Sequence, residues 1–228
     1  DVYRNLGPNE QPLISDNQYD ILEDYIKEKY PKNQVVGKIG APVEKNKVKL
    51  PYEMASMDKI KPDTKALSNW RLKYNGPYVL SCKLDGVSGL YTTENNKLSL
   101  YTRGNGKVGQ DVTHFIPYLK LPKKENIVVR GEFIMKKNIF QSKYQDKFAN
   151  ARNLIAGTVN RVTVNNTVDD MDFVAYEVIK PEIKPSEQMK LLDEMGFITV
   201  KNEMRETMTN EDLSKVLVDW RANYDYEI

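Results

Sequence analysis

Apolar residues near the start of the chain recur at the spacing of an amphipathic helix. This helix begins after a Ser15 or Asp16 cap and ends at Pro31, which cannot continue a helix interior. Its apolar positions are Tyr19, Leu22, Tyr25, Ile26 and Tyr30. The pattern predicts one helix in this part of the chain.

The stretch between Lys32 and Lys49 has a different composition, with several lysines, glycines and Pro42 but few large apolar residues. Such a composition is typical of a surface linker. We therefore place a domain boundary here. Residues 1–44 are expected to form a small helical module that is incomplete at its N-terminus, and residues 45–228 a larger domain.

A second helix is predicted over residues 63–74, and short runs of alternating apolar residues follow it. The predicted strands are Tyr78–Lys83, Val87–Thr93, Leu98–Thr102, Ile127–Met135 and Met171–Ile179, and the predicted helices are Asn150–Arg161, Ser186–Met195 and Asn210–Tyr224. A Glu94-Asn95-Asn96 turn joins two of these strands into a hairpin. This mixture predicts an α+β fold of antiparallel sheets with flanking helices.

Composition narrows the class of protein. The chain has 228 residues and 40% hydrophobic content, which is enough for a globular core. Its single cysteine, Cys82, excludes an internal disulfide and a multi-cysteine zinc site, and it favours a reducing, cytoplasmic location. We find no signal peptide and no run of apolar residues long enough to cross a membrane, so we expect a soluble monomer without a membrane partner. The formal charge of +2 neither indicates nor excludes a nucleic-acid partner.

The candidate nucleophile is Lys83, in the string Lys83-Leu84-Asp85-Gly86 between two predicted strands. A lysine amine is nucleophilic when it is deprotonated, which burial or nearby cations favour, and its product with a phosphate is a phosphoramidate. Asp85 can orient the amine or hold a magnesium ion. The alternative is a solvated lysine at the end of a strand, followed by an ordinary Asp-Gly turn.

A glycine-rich string from Thr102 to Val112 follows the predicted hairpin. Its glycines let the backbone approach a ligand closely, and Arg103 can donate forked hydrogen bonds to ribose or phosphate oxygens. The alternative is a flexible hairpin tip. Together with Lys83, the string favours a nucleotide site.

Three further strings carry candidate binding groups. Arg130-Gly131-Glu132 ends a predicted strand with a carboxylate that can accept hydrogen bonds from a ribose. Arg152 lies in the first turn of a predicted helix, and helix N-termini attract phosphate. Tyr176 lies on a later strand, where its ring can stack on a base, although an ordinary core tyrosine is the alternative.

Taken in order, these strings resemble the adenylation domain of NAD-dependent DNA ligases, a nucleotidyltransferase domain with an ATP-grasp-like fold. The resemblance implies that Lys83 attacks the α-phosphate of NAD, releases NMN and carries AMP for the later sealing of nicked double-stranded DNA. It implies Mg²⁺ as a second cofactor. The implied catalytic residues are Lys83, Asp85, Arg103 and Glu132; the implied nucleotide contacts are Ser56, Met57, Ser81, Leu84, Arg103, Glu132 and Tyr176; and the implied DNA contacts are Arg152 and Arg161.

The first twenty residues resemble the NMN-binding module of the same family, which ligases that use ATP lack. The resemblance implies that Tyr3 and Tyr19 hold the nicotinamide, that Asp16 and Asp20 contact its amide or ribose, and that Arg4 takes a position usually occupied by histidine. The alternative is a capped helix with aromatic core positions.

The sequence also departs from the family pattern. Ser81 stands where bacterial members carry a glutamate that reads the adenine amino group, and the second helix arginine is displaced by one residue, at Arg161. Further departures are Asn105 for aspartate, Gln110 for glutamate and Ala151 for proline. These departures indicate a divergent branch of the family, and our hypothesis is a viral one.

The chain ends in Tyr226-Glu227-Ile228, a strand-like string without a turn or a cap. The family continues beyond this point into motifs for metal and phosphate and into domains that encircle DNA, so we expect the remaining ligase domains C-terminal to this chain. Two alternatives stay open. One is a relative that uses ATP or GTP, such as an RNA ligase or a capping enzyme, and the other is a nonenzymatic domain that binds a nucleotide or DNA.

Overall fold

The computed structural model describes residues 14, 16–31, 46–60 and 65–228. The helices are α1 (Asp16–Lys29), α2 (Ala66–Lys73), α3 (Lys137–Lys143), α4 (Ala151–Val159), α5 (Pro185–Met195) and α6 (Asn210–Asn223). The strands are β1 (Lys47–Lys49), β2 (Tyr78–Ser81), β3 (Val87–Thr92), β4 (Ser99–Thr102), β5 (Val108–Gln110), β6 (Val128–Ile134), β7 (Asp172–Lys180), β8 (Ile198–Thr199) and β9 (Asn202–Arg205). The predicted α+β class is confirmed.

A central sheet of five strands has the order β4-β3-β6-β7-β8. Its first three pairings are antiparallel, and β8 joins the edge of β7 in parallel. Two smaller antiparallel sheets pair β1 with β5 and β2 with β9. The predicted antiparallel sheets are therefore confirmed, with β8 as a parallel addition at the edge.

The main hydrophobic core covers one face of the central sheet. Tyr91, Phe133 and Phe173 are fully buried there, together with Leu154 and Ile155 of α4. The rings of Phe133 and Phe173 meet edge to face, with 5.3 Å between their centroids. Burial of these large aromatic groups is a major contribution to stability.

A segment without helix or strand, residues 50–56, packs on the opposite face of the central sheet, and we call it the strap. Leu50 and Met54 of the strap are buried against Leu90 and Val128 in a second, smaller core. The Leu50 amide donates to the Lys107 carbonyl at 2.9 Å, and the Met54 amide donates to the Gly106 carbonyl at 2.8 Å. The strap is thus tied to the turn between β4 and β5.

Several predicted boundaries are wrong. Residues 47–49 lie in the predicted linker but form β1, because β5 supplies a partner strand that the local composition does not show. Helix α4 ends at Val159, so Arg161 follows the helix instead of belonging to it. The final residues Tyr226–Ile228 form no strand, although the Asp85 amide donates to the Glu227 carbonyl at 3.0 Å. For β1, the outcome depends on a partner strand that is distant in the sequence.

Within the described ranges, no helix is long and apolar enough to cross a membrane.

Candidate active site

Lys83 lies in the connection between β2 and β3, where the β2–β9 ribbon meets the central sheet. The prediction that its strand continues to Lys83 is wrong, because β2 ends at Ser81. Burial alternates along the connection: Cys82 and Leu84 are buried in the core, whereas Lys83 is exposed and Asp85 half-buried. The buried neighbours hold the backbone, so Lys83 projects away from the core.

Cys82 is the other side chain with nucleophilic chemistry at this position. Burial raises the pKa of its thiol to about 11, although the charge of Lys201 opposes the shift. The thiol is therefore protonated at neutral pH and unreactive, because the thiolate is the reactive form. This leaves Lys83 as the candidate nucleophile in the connection.

Glu132 lies inside β6, directly opposite Ser88 of β3, and not at the end of a strand as predicted. Its side chain is buried, and Ser88 Oγ donates a hydrogen bond to Glu132 Oε2 at 2.9 Å. Burial raises the pKa of Glu132 to about 7; the hydrogen bond from Ser88 and the charges of Arg152 and Lys83 oppose this shift. The positive charges of Arg152 and Lys83 thus favour the ionised form of this buried carboxylate.

Arg152 joins this cluster from the first turn of α4. Its Nη1 atom lies 3.0 Å from Asp85 Oδ1. The position of the helix is fixed by Asn150, whose side-chain oxygen accepts a hydrogen bond from the Asn153 amide at 2.8 Å. The structure therefore places Arg152, a predicted DNA contact, beside Lys83 and Asp85, whereas Arg161 lies beyond the end of α4 with an exposed side chain.

Arg103 links the glycine-rich turn to the strap. Its Nε donates to the Met54 carbonyl and its Nη2 to Ser56 Oγ, both at 2.9 Å. Gly106 allows this close approach, because it has a positive φ of 93° and a Cβ there would lie 2.8 Å from the Met54 carbonyl. Two predicted site residues, Arg103 and Ser56, are thus in direct contact, and Met57 next to them is exposed.

Tyr176 of β7 lies beside Arg130, whose guanidinium is 5.8 Å from the centre of the tyrosine ring. Arg130 Nη1 pairs with Glu177 Oε2 at 3.0 Å, and its Nη2 donates to the Ala55 carbonyl at 3.2 Å. Burial, and secondly the negative charge of Glu132, raises the pKa of Tyr176. The Tyr176 hydroxyl therefore stays protonated at neutral pH.

Two of these residues, Ser88 and Arg130, were missed by the sequence analysis. Arg130 stands two positions before Glu132 on one strand, and residues two apart point to the same face. That spacing could have identified it. Ser88 could not be found in this way, because its link to Glu132 follows from the register between β3 and β6.

The structure gives less detail about the remaining residues that were predicted to contact the nucleotide. Ser81 is exposed at the end of β2, opposite Asn202 of β9. Leu84 is 6% exposed and packs in the core, so only its backbone is open to a ligand. Tyr3 and Arg4 lie outside the described residues. Asp16, Tyr19 and Asp20 lie on α1, but their side chains are also outside what the structure describes.

Comparison with known families shows which family the chain belongs to. The family model of the NAD-dependent DNA ligase adenylation domain matches residues 45–228. The chain therefore belongs to that family, and the resemblance seen in the sequence is confirmed.

Three relatives illustrate this membership. The chain is 44% identical over 237 residues to the DNA ligase of Acanthamoeba polyphaga mimivirus, with 100% of this chain and 37% of that protein aligned. It is 34% identical over 236 residues to the protein of Invertebrate iridescent virus 6 named "Putative DNA ligase 205R", covering 96% of this chain and 36% of that protein. It is 28% identical over 257 residues to the DNA ligase of Mycoplasma capricolum subsp. capricolum, covering 96% and 38%. The chain thus spans just over a third of these proteins, two of which are viral.

A solved structure named Pmar-Lig_Pre. overlaps 94% of this chain and 46% of that chain. The sequence identity is 16% and the TM-score is 0.44, which is too low to carry an argument about the fold.

Proposed function

We propose that this chain is the NAD-using part of a DNA ligase, in which Lys83 receives an adenylyl group from NAD. Residues 45–228 would form the adenylation domain, with the ATP-grasp-like nucleotidyltransferase fold, and residues 1–44 the NMN-binding module. The observation that carries the proposal is the ion pair of Arg152 with Asp85, two residues after Lys83, in a connection whose Gly86 packs against the buried side chain of Glu132. Membership of the family supports it.

The proposed reaction is a displacement at phosphorus. A bond forms between Lys83 Nζ and the α-phosphorus of NAD, the bond from that phosphorus to the bridging oxygen breaks, and NMN leaves with the electron pair. The Lys83 amine gives up a proton to solvent water before it attacks, since only the neutral amine has a free electron pair. Arg103 and Arg152 supply positive charge for the phosphoryl oxygens, which stabilises the transition state.

The base and ribose of NAD have candidate partners on the strap side of the sheet. Glu132, when ionised, can accept hydrogen bonds from ribose hydroxyls, and the face of Tyr176 can stack on adenine. Ser56 and Met57 would lie beside the adenylate, with Ser81 and the backbone of Leu84 at its edge.

The proposed Mg²⁺ site would use few ligands from the protein itself. Within the part of the chain that the structure describes, no group of three or more His, Cys, Asp or Glu side chains is placed to hold a metal ion. Mg²⁺ is commonly bound by one or two carboxylates together with substrate phosphates, and Asp85 offers such a carboxylate beside Lys83. The ion would offset negative charge on the phosphates.

The later steps of ligation would use nicked double-stranded DNA as the partner. AMP would pass from Lys83 to the 5′-phosphate of the nick, and the 3′-hydroxyl would then displace it. Arg152 and Arg161 are the proposed DNA contacts, and we propose an intracellular monomer for this role. A ligase of this kind serves DNA replication and repair.

Intact-mass measurement tests the proposal. The protein is incubated with Mg²⁺ and either NAD or ATP, and the adduct is located by peptide mapping. We expect an AMP increment on Lys83 with NAD only. An increment with ATP but not NAD would indicate the ATP-using class, whereas tight NAD binding without any adduct in the full-length protein would indicate a nonenzymatic nucleotide-binding domain.

A second test addresses the NMN-binding module. Tyr19→Ala is expected to slow adduct formation from NAD by about tenfold or more, since a stacked aromatic contact contributes about 1–3 kcal/mol, while transfer of AMP from preformed adduct to nicked DNA stays within about twofold. The matched control is Tyr25→Ala on the same helix, whose side chain is 51% exposed. Equal losses in both steps, or an equal effect of Tyr25→Ala, would contradict the nicotinamide role of Tyr19.

A further inference from the structure

The strap runs along the central sheet from the end far from Lys83 towards the candidate site. Tyr52 lies at the far end, near Glu94, which follows β3, and near Lys180, the last residue of β7. Ala55 and Ser56 lie at the other end, in contact with Arg130 and Arg103.

Three side chains, Tyr52, Glu94 and Lys180, meet at the far end of the strap, and we call them the clamp. The Tyr52 hydroxyl donates to both Glu94 carboxylate oxygens, at 2.9 and 3.0 Å. Lys180 Nζ donates to Glu94 Oε1 at 2.6 Å. The Glu94 side chain is only 20% exposed, so this interaction is partly shielded from water.

The ionised form of Glu94 is favoured by its partners. The hydrogen bond from Lys180, and then that from Tyr52, holds the pKa of Glu94 below its usual value against the effect of burial. Hydrogen bonds to an ionised group are stronger than those between neutral groups. The clamp is therefore a charge-assisted contact at neutral pH.

Residues 51–60 form no helix or strand, so the position of the strap depends on side-chain contacts such as the clamp. The buried Met54 side chain fixes its middle. The clamp ties its far end to two strands of the central sheet at once, through Glu94 after β3 and Lys180 of β7. Because the clamp holds the strap at Tyr52, the other end of the strap, at Ala55 and Ser56, can be positioned before a ligand binds.

We propose that Tyr52, Glu94 and Lys180 are positioning residues, which hold the strap so that Ser56 and the Ala55 carbonyl already meet Arg103 and Arg130 before NAD binds. This inference rests on the proposed function of the site. Preorganisation of this kind lowers the cost of ordering on binding and so strengthens affinity. It leaves the chemical step at Lys83 unchanged.

The test uses Glu94→Gln and the milder Tyr52→Phe in the full-length protein. Glu53→Gln is the matched control on the same strap, since Glu53 makes only an exposed ion pair with Lys107 at 4.0 Å. In adduct formation at Lys83, both clamp variants are expected to raise the KM for NAD by about fivefold or more, the usual range of coupling between sites, with kcat within about twofold. Glu53→Gln is expected to change neither.

Hydrogen exchange at the Met54 amide, measured without nucleotide, reports the strap directly. The clamp variants are expected to speed this exchange, and the result does not depend on whether the protein forms an adduct, so failure of the proposed function and failure of this inference are distinguishable. The inference is overturned if exchange at Met54 is unchanged, if it speeds up without a rise in KM, or if kcat falls together with the thermal midpoint, which would mean an ordinary structural role.

Discussion

Lys83→Ala is expected to abolish formation of the AMP adduct, with a loss on the order of 10³-fold or more, since no other group in the connection can replace the amine. Cys82 is its buried neighbour, and burial keeps the pKa of that thiol near 11. Lys83→Arg is expected to be equally inactive, because a guanidinium stays protonated and cannot act as a nucleophile. Intact mass after incubation with NAD and Mg²⁺ measures the outcome.

The matched control is Lys97→Ala, which removes an exposed lysine from the turn after β3. It is expected to leave the adduct unchanged. The unfolding free energy of Lys83→Ala should stay within about 1 kcal/mol of the original protein, as for a surface residue without a structural role. An adduct that persists in Lys83→Ala would contradict the proposed nucleophile, and a much larger loss of stability would mean that Lys83 holds the fold together.

The order of motifs along the chain was enough to predict the main site residues, because each one lies beside a strand or helix with a clear pattern. Lys83 precedes β3, Glu132 belongs to β6 and Arg152 begins α4. Their use as nucleophile, ribose contact and phosphate contact stays a prediction. The structure adds that these side chains lie together, which the order of motifs alone does not require.

Other features could not be predicted, because they depend on contacts between distant parts of the chain. Tyr52 and Glu94 are 42 residues apart, and neither belongs to a motif. The strap has no periodic pattern, although Met54 within it is fully buried. Strand β1 exists because β5 pairs with it. In these places tertiary partners decide the conformation, and local composition is a poor guide.

The placement of Arg152 changes the interpretation of one predicted residue. As a DNA contact it would be exposed, and its side chain is indeed 49% exposed. In the structure its guanidinium also pairs with Asp85 at 3.0 Å, and its positive charge opposes the rise that burial causes in the pKa of Glu132. We therefore propose that Arg152 acts in the adenylation step as well, by orienting the Asp85 carboxylate near Lys83.

Glu132→Gln is expected to make the protein more stable at alkaline pH while it impairs the adduct reaction. Burial raises the pKa of Glu132 from its usual value of 4.5 to about 7. At a pH between about 4.5 and about 7, Glu132 keeps its proton in the folded state but has lost it in the unfolded state. The protonated group therefore stabilises the fold fully below about pH 4.5, and this stabilisation is lost as the pH rises through about 7. The shift corresponds to about 3 kcal/mol.

Glutamine has the shape of the protonated acid and can still accept the hydrogen bond from Ser88 Oγ, but it cannot ionise. Urea unfolding at about pH 5 and about pH 8 should therefore show a fall in stability for the original protein that is absent from Glu132→Gln. The matched control is Glu177→Gln, which changes the more exposed carboxylate that pairs with Arg130. This variant should show the same fall in stability as the original protein. If Glu132→Gln shows the same fall in stability between the two pH values, Glu132 is not the group that titrates. If the variant also forms adduct at the original rate, the cost of burying this carboxylate is not linked to the reaction.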